Sequence, residues 1–323
     1  MIALVLATIL AAPQQAKPDL PMEQTKKNIK VLQGVPSSQL IPIMTVMANS
    51  LGVTCAYCHE SAWESDAKPP KEAARRMIRM TRAINDVHYA GKVAVSCQTC
   101  HHGSVTTSDV PPVENSGWNR VSMTPPLQPA LPAADELFAK YVSAWGTSDA
   151  LARVQERVSR GVVTGRSGRG DARSAPFEVR QTRPSTFTMN TELSYPPEAD
   201  REIGYQFFNQ LGIRKRYASV KTIGAGEVRG RAAYIVEAMP DDAPLPERLY
   251  FDAATGVLLR RHRERPTIVG VLPEEYDFDD YRTVDGVLIP FVVQWSRGDY
   301  QVTHRIADVK QTLTPAAGGA SSK

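Results

Sequence analysis

The chain contains one short motif twice, a cysteine, two variable residues, a second cysteine and a histidine. The first motif, CAYCH, spans Cys55–His59, and the second motif, CQTCH, spans Cys97–His101. Two thiols at this spacing on a tight turn reach the two vinyl groups of a porphyrin, and the imidazole that follows reaches the iron. Each motif therefore predicts one covalently attached haem c, with His59 and His101 as iron ligands.

The four cysteines of the chain all lie in these motifs, at Cys55, Cys58, Cys97 and Cys100. The alternatives are a four-thiolate zinc site and a thioredoxin-like dithiol, but neither accounts for a histidine directly after both pairs. A zinc ribbon also separates its pairs by ~15–20 residues, and the gap here is about twice as long. The motifs thus favour two haems, and they leave no cysteine for a disulfide or a catalytic thiol.

A helix is predicted before each motif. Apolar residues recur at helical spacing from Ser37 to Leu51, where Gly52 suits a helix end. The second helix runs from Lys71 to Tyr89 and is amphipathic, with a basic outer side that includes Arg75. Each helix offers methionines to the iron of the motif that follows it.

The spacing alone does not choose the sixth ligand of either iron. Met44 and Met47 share one face of the first helix, and Met77 and Met80 lie together on the second. His88, on the apolar side of the second helix, is a further alternative at the second iron. His102 follows the second motif directly and is expected to contact solvent or a propionate, because neighbouring residues do not both point at one iron.

The stretch from Asn28 to Gly103, with SLGVTCAYCH and ARRMIRMTRAIN, resembles the multihaem cytochrome c subunit of photosynthetic reaction centres and its two-haem relatives. The resemblance implies axial methionines donated by the helix before each motif, which are Met44 and Met77 in this chain. Two departures are visible: the full subunit has four haem motifs, and its residue at the position of His102 is usually arginine.

The beginning of the chain, from Ile2 to Ala12, is a continuous apolar run of the length found in export signals, and no lysine or arginine precedes it. We interpret residues 1–16 as a signal peptide, the alternative being a segment that is retained as a weak anchor. The predicted location is the periplasm or the outer face of a bacterial membrane, which agrees with the site of haem c attachment in bacteria.

The predicted fold class is α+β with two domains. Residues 17–104 form a small helical dihaem domain, residues 105–132 a proline-rich linker, and residues 133–323 a β-rich domain. The β-rich domain is predicted to begin with helices over Asp135–Trp145 and Ser148–Val158, and a curved antiparallel sheet follows from Gly161. It weakly resembles the open half-barrel of periplasmic lipoprotein carriers, which implies an apolar ligand such as a lipid or quinone, the alternative being a filled core.

The composition is that of an ordinary globular protein, with 42% hydrophobic residues and a formal charge of +4. Basic stretches lie at Arg153–Arg173 and Arg260–Arg265, but acidic residues neighbour them. Export and this mixed charge argue against nucleic acid as a partner.

The predicted function is one-electron transfer between periplasmic or membrane redox proteins, through two haems with histidine and methionine ligands. Two alternatives remain at this point. One is a peroxidase-like dihaem enzyme, which needs an open or displaceable sixth position on one iron. The other is a binding module in which the half-barrel holds an apolar ligand and the haems sense or oxidise it.

Overall fold

The computed structural model describes residues 18–107, 131–168, 170–183, 186–200 and 212–314. The predicted signal peptide and most of the predicted linker lie outside these residues. Within the described ranges, no helix is both long enough and apolar enough to cross a membrane.

The N-terminal part is helical, as predicted. Its helices are α1 (Met22–Thr25), α2 (Leu40–Leu51), α3 (Pro69–His88) and α4 (Cys97–His101). A 3-10 turn at Ser37–Gln39 leads into α2, which ends at Gly52 with a left-handed φ of 65°. Glycine adopts this conformation without a steric penalty, so the predicted helix end is confirmed.

The buried face of helix α3 includes Arg75, which was predicted on the outer side, and excludes His88, which was predicted on the apolar side. Its buried residues are Arg75, Ile78, Thr81 and Asn85, whereas His88 is exposed. The placement of Arg75 on the outer side was therefore wrong, because the Arg75 guanidinium is held by the carboxylates of Asp66 and Glu72 at 2.8 and 3.0 Å. Periodicity alone does not reveal a buried arginine whose charge is paired.

The C-terminal part begins with α5 (Ala134–Ala144) and α6 (Ser148–Arg153). Strand β1 starts at once at Val154, so the helix predicted as far as Val158 was wrong in its second half. Val158 pairs with Lys310 on one side and with Arg180 on the other. Pairing with two neighbouring strands overrides the local helical pattern of this stretch.

Ten strands form a single antiparallel sheet in the order β3-β2-β1-β10-β9-β8-β7-β6-β5-β4. The strands are β1 (Val154–Ser167), β2 (Arg173–Thr182), β3 (Thr186–Thr191), β4 (Tyr217–Val228), β5 (Arg231–Pro240), β6 (Glu247–Asp252), β7 (Leu258–Thr267), β8 (Gly270–Val284), β9 (Val287–Arg297) and β10 (Tyr300–Leu313). Neighbours in the sheet are neighbours in the chain except at one place, where β10 returns to pair with β1. The predicted α+β class with an open antiparallel sheet is confirmed.

Aromatic side chains fill the core between α5 and the sheet. Phe138 and Tyr141 of α5 make edge contacts with Phe251, with ring centroids 5.2 and 5.6 Å apart. Trp145, at the end of the helix, is fully buried, as is Trp295 of β9. The described residues thus support the filled core rather than a site for an apolar ligand.

A second apolar cluster joins the helical part to the sheet. From the helical part it takes Met22, Leu32, Val35, Ile43, Val46 and Ile78, and from the sheet Val269 and Leu272. The last two belong to the β7–β8 hairpin, whose turn packs onto α2. The β9–β10 hairpin adds a polar contact, in which the Thr45 hydroxyl donates to the Asp299 carboxylate at 3.2 Å.

Two histidines whose partners could not be deduced from sequence spacing are paired in the sheet. The fully buried His304 lies 3.2 Å from the Asp200 carboxylate and 3.3 Å from the Tyr195 hydroxyl. His262 lies 3.2 Å from the Glu275 carboxylate across β7 and β8, and this hydrogen bond raises the pKa of His262.

We expect Leu272→Ala to lower the free energy of unfolding by ~2–5 kcal/mol, because it leaves a cavity in the cluster that joins the helices to the sheet. Val271→Ala is the matched control, since Val271 is 42% exposed on the same strand. Denaturant unfolding of both variants gives the comparison. Equal losses would show that the cluster does not stabilise the protein.

The His262 pair makes stability depend on pH. A raised folded pKa means that the pair stabilises the fold fully below the unfolded value of about 6.5 and that this stabilisation is lost as pH rises through the folded pKa. The difference in unfolding free energy between the protein and His262→Gln should therefore shrink between about pH 6 and alkaline pH. A difference that is constant with pH would contradict this role.

Candidate haem sites

The two motifs are held side by side by a close approach of two backbone segments. The Gly103 amide, just after the second motif, donates to the Ser50 carbonyl of α2 at 2.8 Å. A Cβ atom on Gly52, just before the first motif, would lie 2.1 Å from the Gly103 carbonyl oxygen. Only glycine fits at position 52. The segment just before the first motif and the segment just after the second motif are therefore in direct backbone contact.

The first motif opens into a cavity of about 640 Å³ between α2, α3 and residues 25–32, here called the first cavity. Its lining includes Cys55, Cys58 and His59 together with Met44 of α2. The volume falls in the range of ~300–1,000 Å³ that is usual for small-molecule and cofactor sites. The structure therefore brings the four residues predicted for the first haem to one cavity.

His59 is oriented by a hydrogen bond that its Nδ1 nitrogen donates. Its Nδ1 lies 3.0 Å from the Trp63 carbonyl oxygen, which only accepts, so Nδ1 carries the proton. In the neutral imidazole this tautomer leaves Nε2 unprotonated, as an iron ligand requires. The Trp63 ring also packs against the His59 ring, with centroids 5.1 Å apart.

The second motif lines a smaller cavity of about 260 Å³, here called the second cavity. Its lining includes Cys97, Cys100, His101 and Met77. The His101 Nδ1 donates to the Ser104 carbonyl at 2.9 Å, which repeats the arrangement seen at the first motif. The predicted residues of the second haem are likewise brought together, with an imidazole in the tautomer that leaves Nε2 free.

The cavities narrow the choice of methionine on α2 but not on α3. Met44 lines the first cavity only, whereas Met47 lines both cavities. Met77 and Met80 both line the second cavity, and they are 38% and 42% exposed. On α3 the geometry therefore leaves both methionines available, and Met77 stays a prediction.

Two histidines lie away from both cavities. His88 is exposed near the C-terminal end of α3 and lines neither cavity, which removes the support for it as a ligand of the second iron. His102 is exposed, with a left-handed φ of 48°, and also lines neither cavity. Its placement agrees with the expected contact with solvent.

The two cavities share one wall. Five residues line both of them: Met47, Leu51, Cys58, Ala74 and Ile78. A single layer of side chains from α2, α3 and the first motif thus separates the two sites. Groups bound in the two cavities would be close neighbours.

An ion cluster around Asp66 braces the first cavity, and nothing in the sequence pattern pointed to it. The Asp66 carboxylate contacts Lys30 at 2.7 Å, Arg75 at 2.8 Å and Lys71 at 3.4 Å. Hydrogen bonds from Arg75, Lys30 and Asn28 hold the pKa of Asp66 well below its usual range. The cluster ties the loop after the first motif to α3 and to the residues before α2.

The thiols that face the cavities are partly withdrawn from water. Burial raises the pKa of Cys58 in the first motif and of Cys97 in the second. Among the described residues, no three His, Cys, Asp or Glu side chains are grouped to hold a metal ion.

The sheet touches the second motif directly. The Cys97 amide donates to the Val269 carbonyl of the β7–β8 turn at 3.4 Å. In the same turn, a Cβ atom on Gly270 would lie 3.0 Å from the Ser96 side chain and 3.1 Å from Val46. The sheet therefore backs the start of α4 and one face of α2.

Comparison with known sequences confirms the resemblance of the N-terminal part. Residues 6–129 match the family described as photosynthetic reaction centre cytochrome C subunit. Cytochrome c-554 of Chloroflexus aurantiacus is 32% identical over 109 residues, which are 31% of this chain and 25% of that protein. The photosynthetic reaction center cytochrome c subunit of Roseobacter denitrificans is 32% identical over 95 residues, 26% of each chain. The chain thus spans about a quarter of the length of these relatives.

Comparison with solved structures finds a distant similarity to a LolA superfamily protein from Nitrosomonas europaea. The identity is 10% and the TM-score 0.38, covering 57% of this chain and 96% of that one.

We expect Gly52→Ala to destabilise the protein more than Gly91→Ala. Both glycines have a left-handed φ, 65° and 77°, which costs an alanine about 1–2 kcal/mol. At Gly91 the added Cβ meets only one atom, at 3.9 Å, whereas at Gly52 it collides with the Gly103 backbone. Denaturant unfolding gives the difference, and equal effects would mean that the two motifs are not held by this contact.

Proposed function

We propose that the chain binds two haem groups covalently, through Cys55 and Cys58 and through Cys97 and Cys100, and carries single electrons between redox proteins. Each haem would supply an iron that takes up and releases one electron. The observation that carries the proposal is that each motif meets a methionine-bearing helix in its own cavity, and that the two cavities share a wall.

The histidines support this function through their orientation. The Nδ1 of His59 donates to the Trp63 carbonyl, four residues further on, and the Nδ1 of His101 donates to the Ser104 carbonyl, three residues further on. This hydrogen bond fixes the ring and its tautomer and raises the basicity of the ligating nitrogen. A fixed ligand keeps the coordination unchanged between the two oxidation states, so little rearrangement accompanies each transfer.

The opposite axial ligands are proposed to be Met44 and Met77. Met44 is favoured because it lines only the first cavity, whereas Met47 lines both cavities and so lies in the wall that they share. Met77 is favoured by the resemblance to the reaction centre cytochromes, whose motif it matches. Methionine opposite histidine raises the potential of a haem relative to other axial pairs, as suits an electron carrier.

Domain organisation, partners and location are proposals of the same kind. We place the dihaem domain in residues 17–104, a linker in 105–132 and a half-barrel domain in 133–323, which would serve as the support of the haem sites. The names of the relatives favour redox proteins as donor and acceptor, and we place these partners in the periplasm or at a membrane. The apolar start of the chain would direct its export.

We expect the purified protein to contain two haems per chain and, when oxidised, to show two low-spin irons with a methionine-to-iron charge-transfer band. Met44→Ala and Met77→Ala should each remove about half of that band. Met47→Ala and Met80→Ala are matched controls, because each lies three residues further along the same helix and should leave the band intact.

The same spectra also test the alternative ligands and the peroxidase-like function. A band that persists in Met44→Ala or Met77→Ala would overturn the ligand at that site. A high-spin iron whose spectrum changes on adding peroxide would favour the peroxidase-like enzyme. A protein without covalent haem would contradict the proposed function as a whole.

A further inference from the structure

The two cavities differ sharply in charge. The first cavity is lined by five cationic side chains and one carboxylate: Lys26, Lys27, Lys30, Lys71, Arg75 and Glu64. The second cavity, in the part of the chain that the structure describes, is lined by no lysine, arginine, aspartate or glutamate. A haem in the first cavity would therefore sit in a much more positive environment.

Lys71 is the cation with the most direct link to the first motif. Its Nζ donates to the Trp63 carbonyl at 2.9 Å, and this is the same oxygen that accepts the Nδ1 proton of His59 at 3.0 Å. A second bond to the Ser65 carbonyl at 2.7 Å fixes the ammonium, and the side chain is only 13% exposed. One backbone oxygen is thus shared by an ammonium group and by the proposed iron ligand.

Asp66 does not cancel this positive charge. Its carboxylate is shared among Lys71, Lys30 and Arg75, and the Arg75 guanidinium also reaches Glu72. Arg79 also pairs with Glu72, at 3.8 Å, so four cations face two carboxylates and the cluster keeps a net positive charge. Because Lys71 is largely withdrawn from water, its field on the cavity is screened less than that of an exposed lysine.

Both effects of Lys71 act on the iron in the same direction. An ammonium that shares the Trp63 carbonyl weakens its hydrogen bond with His59, so the imidazole donates less electron density to iron. A nearby positive charge also favours Fe(II), which carries one positive charge fewer than Fe(III). Each effect raises the reduction potential of a haem in the first cavity.

The second cavity lacks these features. The Ser104 carbonyl, which accepts from His101, receives no lysine among the hydrogen bonds of the described residues. Its lining in the described residues includes no lysine or arginine, so no cation lies beside the second motif as Lys71 lies beside the first.

We propose that Lys71 holds the reduction potential of the haem at Cys55–His59 above that of the haem at Cys97–His101, so that electrons pass from the second haem to the first. This inference rests on the proposed function and adds a direction of transfer to it. Lys71 is a positioning residue in this role, since it acts on iron through the Trp63 carbonyl and through its charge.

The test is a redox titration of the protein with both haems attached, followed by optical spectra. Lys71→Met should lower the higher of the two midpoint potentials and leave the lower one unchanged. The expected size is on the order of tenfold in the ratio of reduced to oxidised haem at a fixed applied potential, which is about 59 mV for one electron.

Three further variants separate charge from folding. Lys71→Arg keeps the charge, so the higher midpoint potential should stay close to that of the unaltered protein. Lys92→Met removes the same charge from an exposed lysine that lines neither cavity, and should change little. Asp66→Asn removes a carboxylate and should shift the higher midpoint upward, opposite to Lys71→Met.

Each other outcome has a definite meaning. If Lys71→Met moves the lower midpoint or neither, the inference is overturned while the proposed function stands. If Lys71→Met does not retain both haems, Lys71→Gln decides, because it removes the charge and keeps an N–H donor for the Trp63 carbonyl. An unchanged higher midpoint in Lys71→Gln would overturn the inference. Absence of covalent haem from the unaltered protein would contradict the proposed function instead.

Discussion

The juxtaposition of the two motifs is the constraint on which the helical part depends. Gly52 ends α2 in a left-handed conformation and lies against the Gly103 backbone, so the chain enters the first motif where it leaves the second. The close approach brings the two cavities to opposite sides of one layer of side chains. The proposed transfer of electrons between two haems needs neighbouring sites, and this backbone contact helps to hold the two motifs together.

A helical segment of this size cannot enclose a large apolar core by itself. The sheet supplies what is missing, through Val269 and Leu272 of the β7–β8 hairpin and through Asp299 of the β9–β10 hairpin. The sheet in turn is stabilised by the aromatic residues under α5. The two parts therefore differ in their cores. The core under the sheet is filled by apolar side chains, whereas the core of the helical part also forms the walls of the two cavities.

Local patterns in the sequence were enough to predict both motifs, α2, α3 and the antiparallel sheet, since each depends on neighbouring residues. Contacts between distant residues were not predictable. Arg75 was assigned to the surface because its partners, Asp66 and Glu72, do not follow from helical periodicity. Val154 and Val158 have a helical pattern but lie in β1, because the returning strand β10 pairs with them. The partners of His304 and the link from Lys71 to His59 likewise exist only in the folded chain.

The contact between Cys97 and the β7–β8 turn has a consequence for the order in which the protein forms. The support behind the second motif comes from residues much later in the chain, and it exists only after the strands of the hairpin have paired. The same turn lies against Val46 of α2, a helix that lines the first cavity through other residues. The final surroundings of both motifs therefore depend on strands that are synthesised long after the motifs themselves.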